Sequence, residues 1–490
     1  MHVKSPLTRM NSACDAIMTP MNSTARLASI LKSDEKMSIR TGASFVFRLA
    51  LPAILAQVAE IVMQYIDSAM VGQMGAGASA SIGLVASSTW LFGGLISACG
   101  YGFSVQAAQR IGAQNYKGAR DVCRQSFLSA LIWSGGLMCI GIFLSSRLPV
   151  WLGGAPEIIH DAHMYFLIYA LFIPVRQLYF LNECMLQSTG DMRTPSILSV
   201  VLCASDVFYN ALLIFPSGTF GPLPGANMGV AGAALGTALS YVTAAIPMII
   251  QTAVRSPVLA LKDKGRWMPE KEVIQNAFHI GIPLGLEHAA LSVAQILAIR
   301  IVAPLGTISL AANSFAVTAE SFCYMPGYGI AGAATTLVGQ AYGAKRKDLC
   351  RMFSWLSVFL GMALMTLAGI AMYWLCPYVF EFLTPVQEVQ ILGEQVLRIE
   401  LHAEPLFAAS IVAAGALRGA GDTFVPFLLN LVSMWGIRLT LAYTLSRTMG
   451  LPGVWYAMAT ELSARGILFL IRLKREKWLE GIDEYKEVKA

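Results

Sequence analysis

The amino-acid sequence predicts an all-α polytopic membrane protein with twelve transmembrane helices in two six-helix bundles, related by a pseudo-two-fold axis along the membrane normal. Three observations predict this fold. Apolar residues make up 56 % of the 490 residues and charged residues 13 %, against roughly 25 % charged in an average soluble chain. Twelve apolar runs follow one another, and the second half of the chain repeats the first. A soluble globule could not cover its surface with so few charges, and a disordered chain would be less hydrophobic.

Each apolar run is long enough to cross a membrane, which takes roughly 20 mostly apolar residues in a helix. The predicted spans cover residues 44–68, 79–103, 125–146, 160–186, 196–216, 229–253, 274–303, 309–333, 353–376, 391–415, 427–446 and 453–471. These runs are too long and too continuously apolar for the strands of a β-barrel. The predicted organisation is a disordered cytoplasmic tail over 1–43, an N-terminal bundle over 44–253, a cytoplasmic linker over 254–273, a C-terminal bundle over 274–471 and a cytoplasmic tail over 472–490.

The distribution of Lys and Arg predicts the orientation. Of the 35 basic residues, 27 lie in the two chain ends and in every second connection, and only Arg147 and Arg447 lie in the connections on the other side. Because cytoplasmic connections carry the excess of Lys and Arg, both termini are expected in the cytoplasm. The regular alternation also supports the count of twelve spans, since losing one span would scramble it.

The two halves superpose when the sequence is shifted by 231 positions. The coinciding residues include Pro52 with Pro283, Gly75 with Gly306, Gln109 with Gln340, Gly112 with Gly343, and Asp191 with Asp422. Each repeat holds six spans, and an even number returns the chain to the same side, so the repeats are parallel. Two such bundles flanking a central path are typical of secondary transporters.

A polar stripe runs along the first span. Gln57, Glu60, Gln64 and Asp67 follow one another at spacings of three, four and three residues, which places them on one helical face. A charged side chain at the membrane centre costs about 2.5–3.5 kcal/mol on insertion scales, so this face is expected to line the interior of the bundle. The residues 231 positions later are His288, Leu291, Gln295 and Ala298. The acids are absent there, which predicts that cation coupling lies in the N-terminal half.

Asp206 and Asn210 add two further polar side chains, one helical turn apart, in the middle of the fifth span. Two buried acids could take up a proton on one side of the membrane and release it on the other. Carboxylate and amide oxygens equally suit Na⁺, so the residues leave the choice between H⁺ and Na⁺ open.

The C-terminal bundle carries charges of its own. Those singled out as cavity residues or members of structural ion pairs are Glu287, Glu320, Glu404 and Arg438. Glu404 is a candidate partner for Arg438 across helices, and Glu461 is a candidate for Arg465 four residues later on one helix face. A role of these charges in substrate gating stays open beside the structural one.

Five sequence strings carry a resemblance to a known family. They are VGQMG (71–75), QRIGAQ (109–114), QSTGDMRTP (187–195), VGQAYGA (338–344) and LRGAGDTFVP (417–426). In this order, within a duplicated twelve-span chain, they resemble the multidrug and toxin extrusion (MATE) family over about residues 44–473. The resemblance implies an antiporter that exports amphiphilic, often cationic compounds, driven by an inward H⁺ or Na⁺ gradient.

The resemblance is to the DNA-damage-inducible-F-type branch, and it implies a cation site in the N-terminal bundle. Asp67 lies fifteen residues after Pro52, as the branch's first-helix acid lies after its helix-bend proline, and Thr237 matches the branch's threonine on the sixth helix. Asp206 and Asn210 look like the branch's fifth-helix pair with Asn and Asp exchanged. Other branches set a Glu eight residues after the seventh-helix proline, where this chain has Leu291.

Motifs of other function classes are missing from the sequence. It contains no nucleotide-binding loop, no Gly-x-Ser-x-Gly and no His-Glu-x-x-His, which argues against ATP-driven transport and hydrolysis. The expected function is a cation-coupled exporter of drugs or metabolites. The alternatives are a lipid-linked saccharide flippase of the same superfamily and, further off, a channel or membrane enzyme. The expected setting is a monomer in the plasma membrane with a small-molecule substrate, no cofactor and no nucleic acid.

Overall fold

The computed structural model describes residues 27–32, 37–217 and 225–483, and these are almost entirely helical. The first repeat consists of span 1 (Ile39–Gly72), span 2 (Ala76–Gly112), span 3 (Tyr116–Ser145), span 4 (Pro156–Leu171 with Ile173–Ser188), span 5 (Arg193–Ile214) and span 6 (Gly229–Ile250). The second repeat consists of span 7 (Lys271–Val302), span 8 (Thr307–Gly343), span 9 (Lys347–Leu383), span 10 (Gln387–Leu401 with Glu404–Gly419), span 11 (Phe424–Val432, a π-helical segment Ser433–Arg438, and Leu439–Met449) and span 12 (Leu451–Arg475). Each predicted span therefore corresponds to a helix or a broken helix.

Length and hydropathy alone identify most of these helices as membrane spans. Within the described residues, nine helices are long and apolar enough to cross a membrane, and span 4 makes a tenth when its two pieces, bent by 49°, are joined. Spans 8 and 10 are not among these ten, yet they occupy the positions that duplicate spans 2 and 4.

The duplication is visible in the helix bounds. Span 8 begins and ends 231 residues after span 2, and the second pieces of spans 4 and 10 do the same. Gly75 and Gly306 precede spans 2 and 8 with φ of 109° and 100°, a backbone conformation that residues with a Cβ rarely adopt. The same turn is thus built twice with the same residue type.

Spans 4 and 10 break at matching positions. In span 4 the first helix ends at Leu171 and the second has Pro174 in its first turn; in span 10 Pro405 stands at the equivalent place. Proline lacks the N–H that the preceding turn would bind and its ring crowds that turn, so the helix kinks there. Span 1, in contrast, runs unbroken through Pro52.

The two bundles interlock through their first helices. Span 1 packs on span 8 of the other bundle, and span 7 packs on span 2. A Cβ on Gly329 of span 8 would stand 2.6 Å from the amide nitrogen of Ile54, and one on Gly102 of span 2 would stand 2.7 Å from the carbonyl oxygen of Ala277. Both backbones approach closely because glycine leaves room.

The predicted disordered tail over 1–43 is wrong in part. Residues 27–32 form a helical turn whose Leu27 and Leu31, four residues apart, are buried against the C-terminal bundle, and span 1 begins at Ile39. The two leucines form an apolar face that the polar composition of the segment conceals. Residues 1–26 and 33–36 lie outside the described residues. At the other end, Lys477–Ile482 forms a short 3₁₀ helix that buries Trp478 and Ile482.

Candidate functional site

Three of the residues singled out from the sequence meet in the N-terminal bundle. The Asn210 side-chain nitrogen donates hydrogen bonds to Asp67 Oδ1 at 2.8 Å and to Asp206 Oδ2 at 2.9 Å. An amide nitrogen carries two hydrogens, so both bonds form at once. Asp206 and Asn210 are almost completely inaccessible, and Asp67 is half-buried. A single asparagine on span 5 thus bridges an acid on its own helix and an acid on span 1.

Asn210 brings the two carboxyl groups together, since its side-chain nitrogen bonds one oxygen of each. None of the ion pairs formed by the described residues includes Asp67 or Asp206. With no basic partner in contact, the pair is chemically suited to hold a proton or a small hard cation.

The acceptor side of Asn210 points into the same site. Asn210 Oδ1 is buried and has no hydrogen-bond partner among the residues that the structure describes, and a Cβ on Gly236 of span 6 would overlap it. Ser240 on span 6 donates to Asp206 Oδ1 at 3.3 Å. The site therefore offers carboxylate, amide and hydroxyl oxygens, which are ligands that hard cations prefer.

The hydroxyl in the site comes from Ser240. The resemblance had implied Thr237 instead. Thr237 lies one turn away, and within the described residues its side chain makes no hydrogen bond to either acid. The signal was available in the sequence, since Ser240 follows Thr237 in GTALS. Helical spacing alone does not decide which of two hydroxyls one turn apart faces a neighbouring helix.

The remaining residues of the polar stripe lie apart from this pair. Glu60 is two helical turns from Asp67 and lies within electrostatic range of Arg176 and Glu183 of span 4. Its side chain is exposed even though it faces these inner helices, and Gln64 is exposed on the same face. Gln57 is half-buried. Glu60 therefore lies apart from the Asp67–Asp206 pair and belongs to a second polar layer along span 1.

Glu287 has a partner that sequence reasoning missed. Asn430 of span 11 donates to Glu287 Oε1 at 2.6 Å. This is an acid on the first helix of a bundle bound by an asparagine on the fifth, as with Asp67 and Asn210. An asparagine in the apolar run around Leu429 and Leu431 was the available signal.

The charges deeper in the C-terminal bundle do not pair as expected. Glu404 and Glu400 are fully buried, and neither carboxyl group has a hydrogen-bond partner among the described residues. The suggested pair of Glu404 with Arg438 is not found; the Arg438 guanidinium contacts Met458 Sδ at 2.6 Å. Glu320 is buried nearby. Glu461 and Arg465 do approach to 3.2 Å, as predicted.

The bundles contact each other at the end where spans 2 and 8 finish, which we call the basic end because the basic connections lie there. Gln109 donates to the carbonyl oxygen of Gly419 at 3.2 Å, and Gln340 donates to that of Ser188 at 2.8 Å. A shift of 231 residues converts one bond into the other. Cβ atoms on Gly112 and Gly343 would overlap the carbonyl oxygens of Gln340 and Gln109.

The polar side chains inside the two bundles are arranged mainly as acid–amide pairs. No group of three or more His, Cys, Asp or Glu suited to a metal ion occurs in the part of the chain that the structure describes. The polar elements are two carboxyl groups sharing an amide in one bundle, a second acid–amide pair in the other bundle, and a tight pseudo-symmetric contact between the bundles.

Comparisons with known proteins agree with this architecture. A family model described as MatE matches residues 52–212 and 283–444, once in each repeat. A probable multidrug resistance protein NorM of Thermotoga maritima is 27 % identical over 465 residues, covering 88 % of this chain and 92 % of that protein. A protein of the same description from Halalkalibacterium halodurans is 26 % identical over 437 residues, covering 87 % and 92 %.

Solved structures share the fold. The outward-facing structure of a multidrug resistance MATE family transporter superposes with a TM-score of 0.83 at 19 % identity, covering 92 % of this chain and 100 % of that one. The bent form of the Vibrio cholerae MATE transporter VcmN superposes with a TM-score of 0.81 at 16 % identity, covering 92 % and 100 %. The chain thus has twelve transmembrane helices in two bundles.

Proposed function

Because this chain belongs to the MatE family of membrane transporters, we propose that it is a secondary active antiporter that exports amphiphilic, cationic drugs or metabolites in exchange for H⁺ or Na⁺. The chain is a transporter and not an enzyme. The observation that carries the proposal is the bridge from Asn210 to both Asp67 and Asp206. Two acids with no basic partner in contact, held by one amide inside a membrane protein, are an arrangement that a passing cation would stabilise.

The coupling step follows from the charge of this site. A proton or Na⁺ that enters from outside removes one negative charge from the carboxyl pair, so the repulsion between the acids on spans 1 and 5 falls. Glu60 lies on the same face of span 1, so a shift of that helix reaches the second polar layer. Cargo held against Glu60 is then released outward, and Pro52 marks the place where span 1 is free of one backbone hydrogen bond.

Alternating access supplies the direction of transport. The seal between the bundles is formed at the basic end, and the excess of Lys and Arg at this end supports a cytoplasmic location, with both termini inside the cell. The cargo is released when this end is closed and is taken up when it opens. The named relatives, which are described as multidrug resistance proteins, support an amphiphilic cargo and a plasma-membrane location. We propose a monomer that needs no cofactor.

The test is the export of ethidium from energised cells that lack their own pumps. Cells expressing the wild-type chain are expected to extrude ethidium, and Asp67→Asn is expected to lower the rate at least about tenfold because the coupling charge is lost. Collapsing the H⁺ gradient or the Na⁺ gradient in turn identifies the ion. Asp191→Asn is the matched control, since Asp191 caps the start of span 5 through Thr194 and lies far from the pair.

Membrane abundance of each variant is measured in the same cells. Normal export by Asp67→Asn at equal abundance would sink the coupling role of this site. A well-expressed wild-type chain that extrudes no ethidium under either gradient would refute the proposed export of cationic amphiphiles.

A further inference from the structure

Arg176 lies inside the N-terminal bundle in an aromatic frame. It belongs to the second half of span 4, directly after the kink, and its guanidinium carbon lies 4.8 Å from the ring centroid of Tyr169 and 4.6 Å from that of Tyr241. The two rings are buried, and Arg176 itself is half-buried. The guanidinium is therefore held from two sides while part of it stays accessible.

The frame is fixed by its own contacts. The Tyr169 hydroxyl donates to the carbonyl oxygen of Thr89 at 2.9 Å. The Tyr241 ring meets that of Tyr179 edge to face, with centroids 5.4 Å apart, and the Tyr179 hydroxyl bonds Ser199 at 3.1 Å. The position of the guanidinium is thus set before any ligand arrives.

The hydrogen-bonding capacity of Arg176 is unused. Among the described residues its side chain donates no hydrogen bond and forms no ion pair within 4 Å, although Glu60 lies within electrostatic range. Two cation–π contacts, at about 0.5–2 kcal/mol each, offset much of the cost of about 2.5–3.5 kcal/mol for Arg in a membrane span, but they leave every guanidinium N–H without an acceptor among these residues. A charge kept at this cost, with its donors free, indicates a binding role.

Glu60 completes the site with the opposite charge. Its side chain is exposed on span 1, and Met63, one turn further along that helix, packs in the same apolar cluster as Tyr241 of the frame. The planar guanidinium offers paired N–H groups that match a carboxylate, and Glu60 suits an ammonium group. Glu60 and Arg176 lie within electrostatic range without forming an ion pair, which fits a ligand that carries both charges.

We propose that Arg176, framed by Tyr169 and Tyr241, binds the carboxylate of the cargo while Glu60 binds its amine, so that the substrate class includes aromatic zwitterions with adjacent ammonium and carboxylate groups. The proposal rests on the proposed export function and refines its substrate class. The competing explanation is that Arg176 serves only as the counter-charge of Glu60.

The test uses two fluorescent probes that differ in one charge. ε-Dansyl-lysine carries an α-ammonium and an α-carboxylate, and its methyl ester keeps the ammonium alone. Binding of each probe to the purified full chain in nanodiscs is followed by dansyl fluorescence in a mildly acidic buffer that keeps both amines protonated. The wild-type chain is expected to bind the zwitterion about tenfold more tightly than the ester, since one charge-assisted contact separates them.

The variants separate recognition from structure. Arg176→Gln is expected to lower the affinity for the zwitterion to that for the ester, and Arg176→Lys to lower it in part, because lysine keeps the charge without the planar fork. Glu60→Gln is expected to weaken both probes. The matched control is Arg147→Gln, which removes another arginine that lies over an aromatic ring, 5.3 Å from the Phe143 centroid, outside the bundle interior.

Equal affinity of the wild-type chain for the two probes, or binding of neither, would overturn the proposal. So would an equal loss of both probes in Arg176→Gln, which is the result expected of a mere counter-charge. Ethidium has no carboxylate, so its export by the wild-type chain tests the proposed function separately. Export of ethidium without discrimination between the dansyl probes would remove this inference and leave the antiporter in place.

Discussion

The two bundles present the same residues to each other at the basic end, whereas their interiors differ in where the acids lie. The bonds from Gln109 to Gly419 and from Gln340 to Ser188 join pseudo-equivalent atoms. Inside the bundles, Asp67 has Ala298 as its mate 231 residues later, and Asp206 has Ile437. The contact at the basic end is therefore formed by both repeats, whereas the acids at positions 67 and 206 occur only in the first repeat.

The C-terminal bundle has not lost its acid–asparagine pair but has it at another depth. The acid of this pair is Glu287, eleven residues before position 298, which is equivalent to Asp67. The asparagine is Asn430, eleven residues before position 441, which is equivalent to Asn210. Both members are eleven residues nearer the basic end along their helices, or about 16 Å at 1.5 Å per residue. The same two helices thus hold a carboxyl–amide bond in each bundle, about three turns apart.

The difference has a physical reason. At a contact between the two repeats, a change in one bundle must be matched in the other, because the glycines and glutamines of both fill one space. Within a bundle there is no such requirement, and a polar pair is constrained only by its own helices. The comparison teaches that the contact is shared by the two bundles, whereas the proposed ion site belongs to one of them.

The largest difference in export between variants of the two bundles is expected when Asn210 and Asn430 are each replaced by alanine. Asn210→Ala removes both bonds of the bridge and is expected to lower active ethidium export at least about tenfold, since hydrogen bonds to charged groups contribute about 1.5–3 kcal/mol each. Asn430→Ala removes a single bond outside the coupling site and is expected to lower export less than about threefold. Export rates are compared at equal membrane abundance.

The reverse order of effects would place coupling in the C-terminal bundle, at Glu287. Equal, large losses in both variants would mean that the two acid–asparagine pairs act together. Coupling would then not be confined to the N-terminal bundle. Glu287→Gln in the same assay checks either outcome, because both require the charge of Glu287 and the substitution removes that charge while it keeps the shape.

A second, smaller and symmetric effect is expected at the paired glycines. Gly112→Ala and Gly343→Ala each place a methyl group against the carbonyl oxygen of Gln340 or Gln109. Overpacking of this kind destabilises by about 1–3 kcal/mol, and both variants are expected to lose the same amount. Thermal unfolding of the detergent-solubilised chain, followed by tryptophan fluorescence, measures the loss.

Gly135→Ala is the matched control for the glycine variants. Gly135 lies in span 3, and a Cβ there meets nothing within 4 Å. Alanine has the better helix propensity, so the control is expected to keep or raise stability by up to about 1 kcal/mol. A strong effect of Gly112→Ala beside a neutral Gly343→Ala would contradict the pseudo-symmetric contact.

Much of this division could be predicted from the sequence, because it depends on patterns that span many residues. The apolar runs predict the spans, the offset of 231 predicts the repeat, and polar residues within apolar helices single out Asp67, Asp206 and Asn210. What could not be predicted depends on the direction of single side chains. Whether Ser240 or Thr237 meets Asp206 depends on how span 6 is rotated against span 5.

The role of Gln109 and Gln340 could not be predicted from the sequence, for a different reason. Gln109 and Gln340 were noticed only as repeated residues, since each binds a backbone carbonyl far away in the chain, and a carbonyl has no sequence signature. Arg176 has no sequence pattern that would reveal the rings of Tyr169 and Tyr241, which hold it inside the bundle. Contacts between helices, and not the content of any one helix, decide these cases.

The smallest effect is expected when the glutamines of the basic end are replaced by alanine. It is measured as the rate at which Cys184 is alkylated. This cysteine is buried and lines the small cavity between the bundles, beside Ser104 and Thr335. Gln109→Ala and Gln340→Ala each remove one bond across the contact, a loss of about 0.5–1.5 kcal/mol. The contact opens more often as a result, and alkylation of Cys184 by N-ethylmaleimide is expected to speed up about two- to tenfold in either variant.

Mass spectrometry of the labelled peptides gives the rate at each cysteine in the same sample. Cys350 is the internal control, since it is equally buried but lies inside the C-terminal bundle, where its thiol faces the carbonyl oxygen of Val338. Its rate is expected to stay unchanged. Faster labelling of both cysteines would indicate general loosening of the fold, and faster labelling of Cys184 in only one variant would show that a single glutamine closes the basic end. Equal acceleration in the two variants is the result that a shared contact requires, because each bond is the pseudo-symmetric copy of the other and opening must break both.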